Sequence, residues 1–281
     1  MSAVRLCPYR DVNKFFRFEA HLDTYLGCEH NCVYCGAREV HDVPPSTWVK
    51  VSKLDVDYVK LSEKRVPLIG RLRRIKEFET PSKAICLGDF SDPYQPLERE
   101  LKHTRSVIER LSAMGYRAIV RTKSDLVTRD LDVFPKNWVL GVSVSYEPGY
   151  AEAKRWEPNA PSAERRIEAV KAFADAGIPV ELWLQPVLPG SNPFKVIDLL
   201  EDYVVGVRVE CLYKTEYVVK EAPTYDGLVF KRYAYPEYAD WYASLAPKLI
   251  EKLMRTKLPY QFDNYYTQLI IERKAIPEWW K

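Results

Sequence analysis

The sequence predicts an α/β fold on a parallel sheet, built from strand–helix units with extensions at both ends. Three observations predict it. From residue 84 onward, short apolar runs alternate with amphipathic stretches. The connections leave little room for hairpins, so consecutive strands run parallel. The loops richest in reactive side chains each follow a strand-like run, where such sheets gather their sites. About six βα units can be counted, short of the eight of a closed barrel. The 281 residues, 47% hydrophobic, suffice for one such domain.

The elements follow in order. "HLDTYLG" reads as the first strand and leads into a cysteine-rich segment. Residues 41–80 read as an insertion with a basic helix near "IGRLRRIKEF". "KAICLG" is a strand. "ERELKHTRSVIERLSAMG" is a helix with Leu101, Ile108, Leu111 and Met114 on one face and Gly115 at its stop. "YRAIVRT" is a strand, "DLVTRDLDVF" a short helix and "WVLGVSVS" a strand. "SAERRIEAVKAFADAG" is a helix between Ser162 as N-cap and Gly177 as C-cap. "IPVELWLQPV" is a strand. "NPFKVIDLLEDY" is a helix capped by Asn192 with Pro193 at its first position, and "VVGVRVECL" is the sixth strand. Residues 1–211 form the expected core. Residues 212–281 form a C-terminal extension packing on it, with a helix near "YADWYASLAPKLIEKLM" and a role in substrate contact.

The net charge of +3 neither demands nor excludes a nucleic-acid partner. No apolar run reaches 18 residues, and "MSAVRLCPYRDVNKFF" lacks an apolar signal core, so a cytoplasmic monomer away from membranes is expected. In that compartment thiols stay reduced. Six cysteines there point to metal or catalysis before disulfides.

Half of those cysteines lie in "TYLGCEHNCVYCGAR", as Cys28, Cys32 and Cys35. Three readings compete. The thiols could be small buried hydrophobes, though such density rarely serves packing alone. With His30 they could form a Cys3His zinc set, although zinc sites usually pair close ligands across a longer loop. Or they could hold a [4Fe–4S] cluster. Such a cube normally takes four thiolates, so three leave one iron open to a substrate or cofactor.

CxxxCxxC with Tyr34 just before Cys35 resembles the cluster loop of radical S-adenosylmethionine (SAM) enzymes. The resemblance implies that SAM chelates the open iron through its amino and carboxylate groups. It implies that an electron, from a donor such as ferredoxin or flavodoxin, cleaves SAM to methionine and a 5′-deoxyadenosyl radical. That radical takes hydrogen from an unactivated carbon. The implied fold is the partial (β/α)6 barrel of radical SAM type. Over residues 24–190, "GCEHNCVYCGAR", "GDFSDPYQPLE", "TKSDLVTRDLDVF", "VSVS", "WEPNAPSAERRIEAV" and "AGIPVELWLQPVLPG" together resemble the spore photoproduct lyase-like (DNA repair photolyase-like) family.

That resemblance assigns SAM binding to Ser91, Lys123 and Ser143. Glu157 and Arg166 match a further Glu-Pro and Arg, as an ion pair bracing the rim or as cofactor contacts. The chain departs from the family at Asp89, which stands where the lyase carries the cysteine that returns a hydrogen atom. Asp89 could instead take a hydrogen bond or proton from substrate, bind the SAM ammonium group, or cap the turn before Pro93. Cys211 is a substitute hydrogen donor, and Cys86 reads as a buried structural thiol.

Two stretches bear on the substrate. Arg71, Arg73, Arg74 and Lys76 crowd one, and Tyr213, Tyr217 and Tyr225 mix with Lys214, Lys220, Lys231 and Arg232 in the other. Cations among aromatics suit stacked bases beside phosphates. Nucleic acid is the expected substrate. A peptide or protein, a small molecule, or a non-catalytic metal-binding role are the alternatives.

Overall fold

The computed structural model describes residues 20–37, 49–53, 84–212 and 236–262. The Arg71–Lys76 stretch and the mixed segment 213–232 lie outside them. Strand β1 (Ala20–Leu22) is followed by the two-residue β2 (Tyr25–Leu26), which pairs antiparallel with β3 (Ser52–Lys53). "HLDTYLG" is therefore two strands. Asp23 separates them, because its Oδ1 accepts from the backbone N–H groups of Phe90 (3.1 Å) and Ser91 (3.0 Å).

The repeat then begins with β4 (Ala84–Leu87), α1 (Glu98–Leu101), α2 (His103–Ala113) and β5 (Arg117–Thr122). It continues with β6 (Val139–Ser143), α3 (Ala153–Trp156), α4 (Ala163–Asp175), β7 (Val180–Val187), α5 (Pro193–Leu200) and β8 (Gly206–Cys211). Helix α6 (Pro236–Thr256) and β9 (Tyr260–Phe262) complete the described chain. The main sheet runs β1-β4-β5-β6-β7-β8-β9, with every neighbouring pair parallel. Spatial order follows chain order, so right-handed crossovers put the helices on one face. The sheet is open, with β1 and β9 at its edges. Six strands are the partial barrel expected from sequence. The seventh, β9, had no counterpart in the sequence reading.

The helix expected across 98–114 breaks at Lys102, which sits in the left-handed region (φ 49°). The buried Glu98 carboxylate explains the break. It accepts from Thr104 N (2.9 Å) and Arg105 N (3.4 Å), satisfying donors at the start of α2 that a continuous helix would have used internally. Leu101 is consequently exposed, at 43%, whereas Ile108 and Leu111 are buried as expected. "DLVTRDLDVF" supplies a 3-10 turn, Asp125–Asp130, capped by Ser124. Helix α5 begins as read, with Asn192 Oδ1 accepting from Lys195 N at 3.2 Å.

Side chains alternate between the two faces of each strand. Leu87, Val120, Val142, Leu182 and Val209 belong to the large core shared with Ile108, Phe173, Ile197 and Leu249 of the helices. The alternate residues face inward. Cys86, Ile119 and Trp183 form a separate small cluster there, among the polar side chains of Arg121, Glu181 and Arg208. Tyr238 of α6 ties the last units together. Its hydroxyl donates to Val187 O (2.9 Å) and accepts from Leu212 N (2.7 Å). No helix among the described residues is long and apolar enough to cross a membrane.

Candidate functional site

The cysteine loop leaves β2 through Gly27 (φ 91°) and turns at Asn31 (φ 54°). Gln95 clamps its start, with Nε2 donating to Gly27 O (3.1 Å) and Oε1 accepting from Glu29 N (2.9 Å). Its end is held by Val33 N to Trp156 O (2.9 Å) and by Asn159 N to His30 O (3.3 Å). Ser91 Oγ donates to Tyr25 O at 2.5 Å just before the loop, and the Tyr25 hydroxyl donates to Glu98 at 2.5 Å. Cys28 and Cys32 are buried and Cys35 is half-buried.

His30 is turned into Asp92, with Nδ1 3.3 Å from Oδ2. Burial by itself would raise the Asp92 carboxyl. The His30 contact and hydrogen bonds from Thr122 Oγ1 and Lys123 N outweigh it and hold Asp92 down at about 2. Among the described residues no three His, Cys, Asp or Glu side chains converge on a single-ion site. An iron–sulfur cube asks for something else: each thiolate on its own corner iron. Three thiols on one clamped loop fit that demand. Burial pushes the Cys28 thiol well up, helped by Asp92, and burial with Glu157 pushes Cys32 up to about 12. Positive charge in their midst would favour the thiolates.

Lys123 and Ser143 meet where β5 and β6 end side by side. Lys123 Nζ donates to Ser143 Oγ (2.9 Å) and Gln185 O (3.3 Å). The hydroxyls of Ser143 and Ser145 donate to the same carbonyl, at 3.0 and 3.1 Å. The carbonyl is available on the β6 side because the β6–β7 backbone ladder ends at Val144 N to Trp183 O (3.0 Å), two residues earlier. Lys123 Nζ also lies 5.6 Å from the Tyr34 ring centroid, which joins this group to the cysteine loop. The Tyr34 hydroxyl donates to Glu157, and Glu157 pairs with Arg166, both carboxylate and guanidinium being fully buried. Arg166 Nη1 donates in turn to Ser143 O (3.0 Å). Burial would raise Glu157, but Arg166 and Lys123 prevail and lower it. One chain of contacts thus connects Tyr34, Glu157, Arg166, Ser143 and Lys123. Ser91 stands apart from it, with its hydroxyl on the backbone before the cysteine loop.

Asp89 lies on the other side of the mouth. Its Oδ1 accepts from Arg121 Nη1 at 2.7 Å, and Arg121 Nη2 reaches Gln185 Oε1 at 3.2 Å. The Arg121 guanidinium lies 3.8 Å from the Trp183 ring centroid, and Arg208 approaches the same ring at 4.9 Å. Glu181 accepts from Arg208 (2.7 Å) and from Trp183 Nε1 (3.3 Å), while Gln261 of β9 takes Arg208 Nη1 at 2.7 Å. Cys86 lies on this inner face beside Arg121. Cys211 alternates to the helix-facing core with Val209 and Tyr238. Sequence reasoning missed Arg121, Trp183, Gln185, Arg208 and Asp92. Charged residues at alternate positions of apolar strands, in "RAIVRT" and "GVRVEC", were the visible trace of Arg121 and Arg208.

The open sheet is similar to radical SAM partial barrels. Against solved structures, the chain matches spore photoproduct lyase complexed with dinucleoside spore photoproduct at a TM-score of 0.56 and 16% identity, over 72% of this chain and 60% of that one. It matches Streptococcus suis SuiB bound to precursor peptide SuiA at a TM-score of 0.61 and 11% identity, over 93% of this chain and 52% of that one. SuiB bound to S-adenosylmethionine matches at 0.55. At these identities the likeness is one of fold. Among curated sequences, uncharacterized proteins of Methanocaldococcus jannaschii and Mycobacterium tuberculosis are each 30% identical, over 188 and 182 residues. These matches cover 66% and 61% of this chain, and 64% and 50% of the relatives' lengths. No protein-family model matches the chain.

Proposed function

We propose that this chain is a radical SAM enzyme acting on nucleic acid. One observation carries the reading. Three cysteines with no fourth sit on a clamped loop, joined through Tyr34 to Lys123 and Ser143 at the C-terminal ends of parallel strands. Cys28, Cys32 and Cys35 would hold a [4Fe–4S] cluster. Bound together, cluster and SAM supply a carbon-centred radical on reduction, with ferredoxin or flavodoxin as the electron source. The residues of the chain bind and orient. Lys123 offers a cation to the SAM carboxylate, and Ser143 offers a hydroxyl to its polar groups. The Glu157–Arg166 pair holds Tyr34 and the Ser143 backbone, and so sets the loop against the strand ends. Ser91 braces the base of the loop from the β4 side.

Nucleic acid is favoured by the basic and aromatic stretches of the sequence and by the fold shared with a lyase complexed with a dinucleoside photoproduct. Photoproduct reversal by a thiol relay is disfavoured. Asp89 has no S–H bond to give, and Cys211 faces the helices. The fold shared with a peptide-bound enzyme makes a peptide substrate the second reading.

Anaerobic reconstitution tests the proposal. The expected result is iron and sulfide near four each per chain and an EPR signal on reduction. Cys28→Ala, Cys32→Ala and Cys35→Ala should each abolish the signal. A triple variant that still binds four irons would overturn the assignment. Affinity for single-stranded RNA or DNA should fall as salt rises.

A further inference from the structure

The cysteine loop is strapped to the end of α3 and the turn after it. Val33 N donates to Trp156 O (2.9 Å), and Asn159 N donates to His30 O (3.3 Å). Glu157 lies between the two strapping residues, as Cys32 lies between the two loop residues they hold. Backbone and side chain together bring its carboxylate against the loop. Oε1 accepts the Tyr34 hydroxyl, and Oε2 accepts Arg166 Nη2. The guanidinium reaches the other way. Its Nε donates to Pro161 O (2.9 Å) and its Nη1 to Ser143 O (3.0 Å). Both charged groups are fully buried. The pair is thus an oriented dipole, negative toward the cysteine loop and positive toward β6 and the start of α4.

A brace needs neither that orientation nor any charge. A buried ion pair costs desolvation that a neutral brace would avoid. The charge does something a neutral brace cannot. Burial raises the Cys32 thiol most, and Glu157 raises it next. Lys123 and Arg166 pull it down, each by less than Glu157 lifts it. What acts on a thiolate acts on a cluster built upon it. Reduction adds one negative charge, so a nearby carboxylate opposes it and a guanidinium favours it. With the carboxylate facing the loop and the guanidinium behind it, the carboxylate prevails over its partner.

We infer that the Glu157–Arg166 pair lowers the reduction potential of the cluster held by Cys28, Cys32 and Cys35, with the carboxylate toward the loop and the guanidinium backing it. This inference rests on the radical SAM reading above. It adds an electrostatic role to the bracing one, because an electron held less firmly by the cluster passes more readily to bound SAM.

The test is an EPR-monitored redox titration of the full-length reconstituted protein, run without SAM so that the ligand's own charges do not enter. Glu157→Gln keeps an acceptor for Tyr34 and removes the charge. Its midpoint potential should rise by about 59 mV, the one-electron equivalent of a tenfold change in the equilibrium. Glu157→Asp keeps the charge and should stay nearer the wild type. Glu157→Gln combined with Arg166→Met removes both charges. Its potential should rise by less than that of Glu157→Gln, because the opposing guanidinium is gone as well. A rise in this double variant also supports the inference where Glu157→Gln, with its guanidinium unpaired, does not fold. Iron, sulfide and SAM cleavage are measured on the same preparations. About four irons with a potential unmoved or lowered in Glu157→Gln overturns the inference alone and leaves Glu157 a brace. A rise as large in Glu157→Asp or in the double variant as in Glu157→Gln overturns it too, as does loss of iron from every variant. A wild-type chain that takes up no cluster overturns the radical SAM reading, and the inference falls with it.

Discussion

The same strands present two unlike faces. Toward the helices, β5 offers Ala118 and Val120, β7 offers Leu182 and Leu184, and β8 offers Val207 and Val209. Toward the barrel interior, those strands offer Arg121, Trp183 and Glu181, and Arg208. The first face is held by burial, which is non-directional and tolerant of repacking. The second is held by hydrogen bonds and ring contacts whose partners must all be present. Stability should therefore follow volume on the outer face and pairing on the inner one. That contrast can be measured.

The largest effect should come from the outer face. Phe173 is fully buried on α4 and meets Phe134 edge to face, with centroids 5.0 Å apart. Phe173→Ala should cost roughly 3–5 kcal/mol of unfolding free energy, read by urea titration, because the site cannot close the cavity. Phe173→Leu should recover most of that loss. Failure to recover would mean that this face, too, depends on specific geometry.

Arg208 carries the contrast to the inner face. It is buried with Glu181, which is 1% exposed. Arg208→Ala should cost roughly 3–5 kcal/mol as well, by taking the guanidinium away from a buried carboxylate. The double change Arg208→Met with Glu181→Leu should cost far less than either truncation, because it removes both charges together. A double variant as unstable as Arg208→Ala would show that volume governs this face also.

The contrast also explains what the sequence could disclose. Helix α5 was legible to its cap because Asn192 and Pro193 act locally. The six core strands were legible as apolar runs, since half of each strand faces the large core. The break at Lys102 was not, because its cause is Glu98, which answers to Tyr25 seventy-three residues earlier in the chain. Strand β9 was not either. Three residues carry too little pattern, and β9 exists through its pairing with β8. In the site, the cysteines were visible because their spacing is local. Lys123, Ser143, Glu157 and Arg166 came only through family resemblance, and the structure shows contacts among them. Arg121 and Trp183 escaped as a pair because their partnership runs from β5 to β7, which neither strand shows alone.

Lys123 should have a smaller effect, on ligand affinity. Its ammonium already has two acceptors near the cysteine loop, Ser143 Oγ and Gln185 O. Lys123→Ala should weaken SAM binding about ten- to a hundredfold, equivalent to roughly 1.5–3 kcal/mol, with iron content unchanged. Equilibrium dialysis with labelled SAM decides it. Unaltered affinity would make Lys123 a brace for the Gln185 carbonyl alone.

The smallest effect should come from Gly141, the inner-face residue of β6 beneath Trp183. A Cβ there would meet Trp183 Nε1 at 2.9 Å and Cε2 at 3.3 Å. On a free surface the indole would swing aside at little cost. Here two guanidinium groups flank the ring and Glu181 accepts from its N–H, so the ring cannot move without disturbing Arg121. Gly141→Ala should therefore destabilise by about 1 kcal/mol, the lower end of overpacking costs, even though alanine suits a strand better than glycine. The same substitution in an Arg121→Met background separates the two causes. If the flanking guanidinium is what pins the indole, its loss should let Gly141→Ala become nearly neutral in urea titration. An unchanged cost would place the strain in the indole's contact with the sheet itself.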